Sequence, residues 1–201
     1  MTDNPNAPDE DGFTPIYWAA NNGHTEIVKI LAPLTDNPNA PDKDGDTPIH
    51  EAACRGHIEI VKILASLLMD NANAPDKNGK TPIYQATCNG HTEIVKILAP
   101  LTDNPNTPDK IGDTPIHIAA LYGETEIVKI LAPLTDNLNA PSNFGETPIH
   151  KAASNGQTEI VKILAPLTDN PNAPNEFGGT PIHIAAQNGH TEIVTFLTNM
   201  T

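Results

Sequence analysis

The stretch DKDGDTPIHEAACRGHIEIVKIL, residues 42–64, decides the fold. Thr47 is a favourable helix N-cap, and Pro48 falls at the first helical position, where a missing N–H costs nothing. Ile49, Ala52 and Ala53 then stand at i, i+3 and i+4, a narrow stripe whose small alanines let another helix approach closely. Gly56 supplies the left-handed backbone that ends the helix. A second helix follows in Ile58–Leu64. Ile60, Val61, Ile63 and Leu64 form a broad apolar face, and Glu59 and Lys62 pair at i, i+3 on the outside. The spacing predicts an antiparallel helix hairpin followed by a polar loop rich in Asn, Pro and Asp that closes in a tight turn.

The same unit recurs along the chain. Thr-Pro-Ile starts at Thr14, Thr47, Thr81, Thr114, Thr147 and Thr180, at spacings of 33, 34, 33, 33 and 33 residues. A period of this length is the signature of a stacked array, and it overrides the division into one or two globular domains that 201 residues would otherwise suggest. Boundaries fall near 6–38, 39–72, 73–105, 106–138, 139–171 and 172–201, and 1–201 reads as a single all-α domain. The segment EIVKILAPLTDNPNAPD, 26–42, returns almost verbatim at 93–109, 126–142 and 159–175. Its prolines, Pro33, Pro100, Pro133 and Pro166, are expected to stop the second helix. The copy at 59–76, EIVKILASLLMDNANAPD, has Ser66 in that place and one extra residue, so its helix is expected to run about one turn further, to roughly Met69. Residues 2–9 read as the tail of a repeat whose helices are missing, which leads us to expect a longer array.

The motif D-x-x-G-x-T-P-I-H-x-A-A-x-x-G-H-x-E-I-V-K-x-L, as it stands in Asp42–Leu64, resembles the ankyrin repeat, and the resemblance covers essentially the whole chain six times over. It implies a curved solenoid of stacked helix-turn-helix units with β-turn or hairpin loops. Turn tips and first helices would line a concave face used to bind proteins, with second helices on the convex back. The family pattern has Gly-Ala-Asp after the second helix; here Leu34-Thr35-Asp36-Asn37 and its equivalents stand instead. The near-identity of the copies fits recent tandem duplication or consensus design.

Other chemistries find little support. A net charge of −14, from 25 acidic and 11 basic residues, disfavours nucleic acid and anionic membranes, which need a cationic surface. No apolar run approaches a membrane span. Of the eight histidines, His50, His117, His150 and His183 follow Thr-Pro-Ile, and His24, His57, His91 and His190 follow the interhelix glycine. One imidazole per repeat is strung along an array, whereas metal ligands converge on one ion. The resemblance implies that they brace the turns, and no metal or cofactor is expected. Gly79-Lys80-Thr81 lacks the upstream glycine of a phosphate-binding loop, where Ala74 stands. Asp42–Asp46 lacks the closing glutamate of a calcium loop, and no nucleophile motif is present, so an enzyme is not expected. The Asn199 sequon carries no weight. Cys54 and Cys88 occupy one place in consecutive repeats. Stacked helices lie too far apart for a disulfide, so free thiols and an intracellular protein, cytoplasmic or nuclear, are expected.

A partner would be read by the positions that differ between copies. These are the turn tips (Asp11, Asp44, Asn78, Ile111, Phe144, Phe177), the residue after Thr-Pro-Ile-Tyr/His (Trp18, Glu51, Gln85, Ile118, Lys151, Ile184), and the pair before the interhelix glycine, including Arg55, Leu121 and Tyr122. Places that accept acid, base, amide and aromatic alike are expected to be exposed. The partner-binding set expected from them is Trp18, Arg55, Ile111, Ile118, Leu121, Tyr122, Phe144, Phe177 and Ile184. Acidic tips lie in the first two repeats and apolar residues in the last three. The expected partner is therefore a protein or peptide with a basic and an apolar part, held by a monomer. Two alternatives compete with this: the tip residues pack only on one another, or the array is a structural or engineered scaffold with no selected partner.

Overall fold

The structure, a computed structural model, describes residues 4–68 and 72–200. These residues form helices and turns, with no strand among them. The chain divides into two compact units, Met1–Thr107 and Pro108–Thr201. In the first, α1 (Pro15–Asn21), α3 (Pro48–Arg55) and α5 (Pro82–Cys88) pack side by side. Their partners α2 (Thr25–Leu31), α4 (Ile58–Leu68) and α6 (Thr92–Leu98) form a second layer. The second unit repeats the plan with α7 (Pro115–Tyr122), α9 (Pro148–Ser154) and α11 (Pro181–Gln187) backed by α8 (Thr125–Leu131), α10 (Thr158–Leu164) and α12 (Thr191–Thr198). In each unit the core lies between the layers. Ile49, Ala52, Ala53, Ile60, Val61 and Leu64 are buried in the first, and Ile149, Ala152, Ala153, Ile160, Val161 and Leu164 in the second.

The first helices start as their sequence dictates. Thr14 and Thr81 accept from the amides of Tyr17 and Tyr84, both at 3.1 Å. Where histidine replaces tyrosine the cap becomes reciprocal. The Thr47 amide donates to His50 Nδ1 (3.2 Å), which fixes the proton on Nε2, and that N–H donates to the Lys80 carbonyl of the next repeat (3.1 Å). His117 reaches Glu146 O and His150 reaches Gly179 O in the same way, each at 3.1 Å. Burial holds all three imidazoles below their ordinary pKa and so neutral. Three of the histidines after the interhelix glycine reach backwards: His57 to Asn21 O (3.3 Å), His91 to Cys54 O (3.0 Å) and His190 to Ser154 O (3.2 Å). Beyond the bracing of turns that was expected, these imidazoles bond to neighbouring repeats in both directions.

The turn tips are also joined. Asp42 Oδ1 accepts from the amides of Asp44 and Asp46, and the Lys43 amide donates to Asp11 O. Lys77 to Asp44, Asn143 to Ile111 and Glu176 to Phe144 repeat that backbone link.

The second helices stop at the prolines as expected: α2, α6, α8 and α10 end at Leu31, Leu98, Leu131 and Leu164 and give way to a 3-10 turn, Ala32–Leu34, Ala99–Leu101, Ala132–Leu134 and Ala165–Leu167, with proline at its second place. There the missing N–H falls among the first amides of a new helical segment, which need no partner within it. With Ser66 in that place, α4 stays α-helical for 11 residues to Leu68, and the expected end at Met69 lies outside the described residues. The Glu–Lys pair forms at 2.6 Å in Glu59–Lys62, though it is too exposed to add much stability.

The loop that departs from the family pattern has a structural task. Asn39 Oδ1 accepts from the Ile49 amide (2.9 Å) while its own amide donates to Asn37 Oδ1 (3.1 Å), so the loop holds the start of α3. Asn6, Asn73 and Asn172 do the same for Ile16, Ile83 and Ile182.

Gly56 is required twice over. Its φ is +80°, and a Cβ there would lie 2.8 Å from the His91 ring. Gly56→Ala is expected to lower the unfolding free energy by about 1–3 kcal/mol, read from urea melts.

Candidate binding surface

The structure separates the expected site residues into three groups. Exposed as expected are the tips of the second unit, Ile111 and Phe144 at 47% and Phe177 at 81%, and Tyr122 on α7 at 57%. In the first unit Trp18 (47%) and Arg55 are also exposed. Leu121 and Ile184 are half-buried. Ile118 is a correction, because at 6% exposure it belongs to the core of the second unit, where α9 packs on α7. The place after Thr-Pro-Ile-Tyr/His is exposed in one copy, as Trp18 shows, and buried in another, as Ile118 shows, so its variability alone does not signal solvent.

Lys151, at the same place in α9, shows how a charge is accommodated there. Its side chain is only 14% exposed and lies 2.9 Å from Glu146 and 3.2 Å from the buried Asp113. Burial alone would lower its pKa, but the hydrogen bond to Glu146 and the charge of Asp113 raise it above the ordinary lysine value. Asp113 keeps one further buried oxygen, Oδ1, without a hydrogen-bond partner.

The first unit has the carboxylates without the lysine. Asp46 is the counterpart of Asp113, and the place of Lys151 is taken by Gln85. Burial, followed by the charges of Asp76, Asp42, Glu51 and Asp44, pushes the Asp46 carboxyl up to about 6, and its Oδ1 is buried with no partner. Nearby cations are engaged elsewhere: Arg55 pairs with Glu51 at 3.5 Å, Lys43 with Asp11 at 3.4 Å, and Lys80 lies over the Tyr84 ring. Tyr17 borders this group; burial and the charge of Glu51 push its phenol above its ordinary value. Its ring and that of Trp18 pack on Phe13 at 4.7 and 5.1 Å, which accounts for part of the tryptophan's placement while leaving half its surface free.

Repeated helix pairs, reciprocal Thr–His caps and interlocked turn tips are now joined by a direct comparison: a family profile for ankyrin repeats, three copies, matches residues 2–69, 65–142 and 133–201. The chain belongs to the ankyrin-repeat family. Ankyrin repeats generally serve as protein–protein interaction modules and are typically not enzymes. No curated protein matches this ankyrin chain. Cys54 and Cys88 are not joined in a disulfide, and burial raises the pKa of Cys54. Among the described residues no group of three His, Cys, Asp or Glu side chains converges as a metal site would, and no helix is long and apolar enough to cross a membrane.

Two features of these ankyrin units were not read from the sequence. The Asp113–Lys151–Glu146 group ties Lys151 both to Glu146, five positions away, and to Asp113, 38 positions away in the preceding repeat, and the second link leaves no local motif. The asparagines that hold the helix starts reach across ten residues, although their recurrence at one place per repeat was a usable signal.

The raised Asp46 pKa gives a pH test. A carboxyl whose folded pKa of about 6 exceeds its ordinary 3.8 favours the fold only while protonated, so its penalty is absent below about pH 4 and grows as pH rises through about 6. Asp46→Asn is expected to melt above the wild type near pH 7, with the difference shrinking towards about pH 4. The buried imidazoles titrate in both proteins and cancel in the comparison.

Proposed function

We propose that this chain is a non-catalytic protein-binding module that takes partner segments on the surface made by its turn tips and first helices. The second unit would bind apolar side chains and the first unit basic ones. The observation that carries the reading is the row of exposed tips Ile111, Phe144 and Phe177 in three successive repeats, a cluster of a kind that usually marks an interaction site. No ring contact joins Phe144 to Phe177 among the described residues and both side chains stay exposed, which supports a free row over tips packed on one another. Support for basic side chains comes from the uncompensated carboxylates around Asp46, where a lysine or arginine of a partner would stand as Lys151 stands in the second unit.

Ile118 is left out of the proposed surface; Trp18, Arg55, Leu121, Tyr122 and Ile184 border it. Cysteines outside a disulfide suit a reducing compartment, and an intracellular setting, cytoplasmic or nuclear, goes with this reading. The near-identity of the copies favours a second reading, a scaffold whose tips have no selected partner.

Selection from a displayed peptide library separates the two. Enriched peptides are expected to combine aliphatic or aromatic residues with lysine or arginine. The triple variant Ile111→Ser, Phe144→Ser, Phe177→Ser should bind the apolar class about 10-fold or more weakly with an unchanged melting temperature. Gln85→Lys, which supplies the missing cation, should weaken the basic class. Retained affinity in the triple variant would sink the tip reading, and failure to enrich any peptide would favour the scaffold.

A further inference from the structure

The sequence holds five Asn-Gly pairs, at Asn22, Asn78, Asn89, Asn155 and Asn188. Glycine after asparagine leaves the peptide nitrogen open to the side-chain carboxamide, because no Cβ stands in the way. That nitrogen can displace ammonia from asparagine Cγ and close a five-membered succinimide, which water reopens to aspartate or isoaspartate. Local sequence alone treats the five pairs nearly alike, but the fold separates them.

Four of the pairs end a first helix. Asn22, Asn89, Asn155 and Asn188 are the C-caps of α1, α5, α9 and α11, with ψ held between 2° and 13°. In each the carboxamide nitrogen is tied to a backbone carbonyl. Asn22 Nδ2 donates to Trp18 O at 2.8 Å and Asn89 Nδ2 to Gln85 O at 3.0 Å, both one turn back in the same helix. Asn155 Nδ2 donates to Leu121 O and Asn188 Nδ2 to Ser154 O, both at 3.1 Å and both in the preceding repeat. The nitrogen that must depart is the atom the fold holds, and the cap must open before Cγ can turn towards the glycine amide.

Asn78 stands at a turn tip instead. It is exposed, and among the described residues its side chain bonds to nothing. Only its main chain is engaged, the amide donating to Asp76 Oδ1 at 2.7 Å. The Gly79 amide donates to Asp76 O at 3.0 Å, but the amides of Gly23, Gly90 and Gly189 are bonded likewise, at 3.3, 3.2 and 3.2 Å. The glycine amide therefore does not set the pairs apart, and the carboxamide does. The product also fits its place. Asp11 and Asp44 occupy the same tip position in the two preceding repeats, each followed by a glycine of positive φ as Asn78 is by Gly79.

We propose that Asn78 is a site of spontaneous deamidation, which the folded protein converts to a third acidic tip while the four helix-end asparagines are kept intact. The Gly79 nitrogen gives up its proton and bonds to Asn78 Cγ, the Cγ–Nδ2 bond breaks, and ammonia leaves. Water then hydrolyses one of the two imide bonds. Cleavage at Cγ restores the Gly79 amide and gives aspartate; cleavage at the backbone carbonyl gives isoaspartate, with the chain running through Cβ and Cγ. One water is consumed, one ammonia is released, and no oxidant or reductant takes part.

The new charge falls among acids. The neighbouring Lys77 amide donates to Asp44 O at 2.9 Å, so the tips of the second and third repeats adjoin, and Asp44 and Asp76 already oppose the ionisation of Asp46. The consequence for binding rests on the first unit being a surface for basic segments: conversion of Asn78 strengthens that surface as the protein ages.

Peptide mapping by mass spectrometry, on the whole chain aged at mildly alkaline pH, tests the proposal. Asn78 is expected to convert about 10-fold or more faster than each of the other four, the factor that about 1.4 kcal/mol of side-chain restraint supplies. In urea, where those restraints are lost, the preference should vanish. A helix-end asparagine that converts as fast as Asn78 in the folded protein, an Asn78 that stays intact, or a preference that survives in urea would each overturn the proposal. Asn78→Asp, which reproduces one product, is expected to bind a lysine-rich peptide about 2-fold or more tightly than fresh wild type at low salt. Equal affinity would overturn the consequence for binding. No binding by either protein would instead count against the function proposed above and leave the mapping result standing.

Discussion

The fold depends on the side-chain hydrogen bond that carries a histidine from one repeat to a backbone carbonyl of its neighbour. A helix hairpin of about 20 residues cannot bury enough apolar surface to stand alone, and two flat helix layers could slide over one another. The imidazoles prevent this by direction. His50 reaches forward to Lys80 and His57 reaches back to Asn21, so the middle repeat is held on both sides by bonds whose geometry admits one register. In the forward bond the Thr47 amide donates to His50 Nδ1, which sets the proton on Nε2, and burial keeps that ring uncharged. Capping, tautomer and stacking are thus one interaction seen at three scales.

That same linkage explains what the sequence revealed and what it concealed. Thr47, Pro48 and Gly56 act within a turn of their own positions, and their reading stands unchanged in the structure. Ile118 and Lys151 depend on residues a full repeat away. At their shared position hydrophobic, acidic, basic and amide side chains alternate, which looks like a solvent face, yet each is matched by a different neighbour: Glu51 by Arg55, Lys151 by Asp113 and Glu146. Pro33 was legible as a disturbance but not as a 3-10 turn, because the outcome depends on which amides were already without partners. The tips Ile111, Phe144 and Phe177 could be read because they project from turns with little around them.

The two units give different answers to one electrostatic problem. Where Asp113 meets Lys151, a largely buried cation balances two carboxylates. Where Asp46 meets Gln85, the carboxylates repel one another and the cost is borne as a raised pKa. A cation placed there, as in the Gln85→Lys variant, would relieve that repulsion.

The uninterrupted helix α4 bears on how such a chain avoids errors. Copies this alike offer a folding chain many false neighbours: a hairpin that docks on the wrong copy meets nearly the same side chains, and a whole repeat can be looped out at little loss. The 34-residue interval and the 11-residue helix break that degeneracy in one place. A misthreaded array would have to set this longer helix against a layer shaped for a seven-residue helix and a 3-10 turn. The odd copy thereby serves as an address within a repetitive text, letting the chain count its own repeats as it folds.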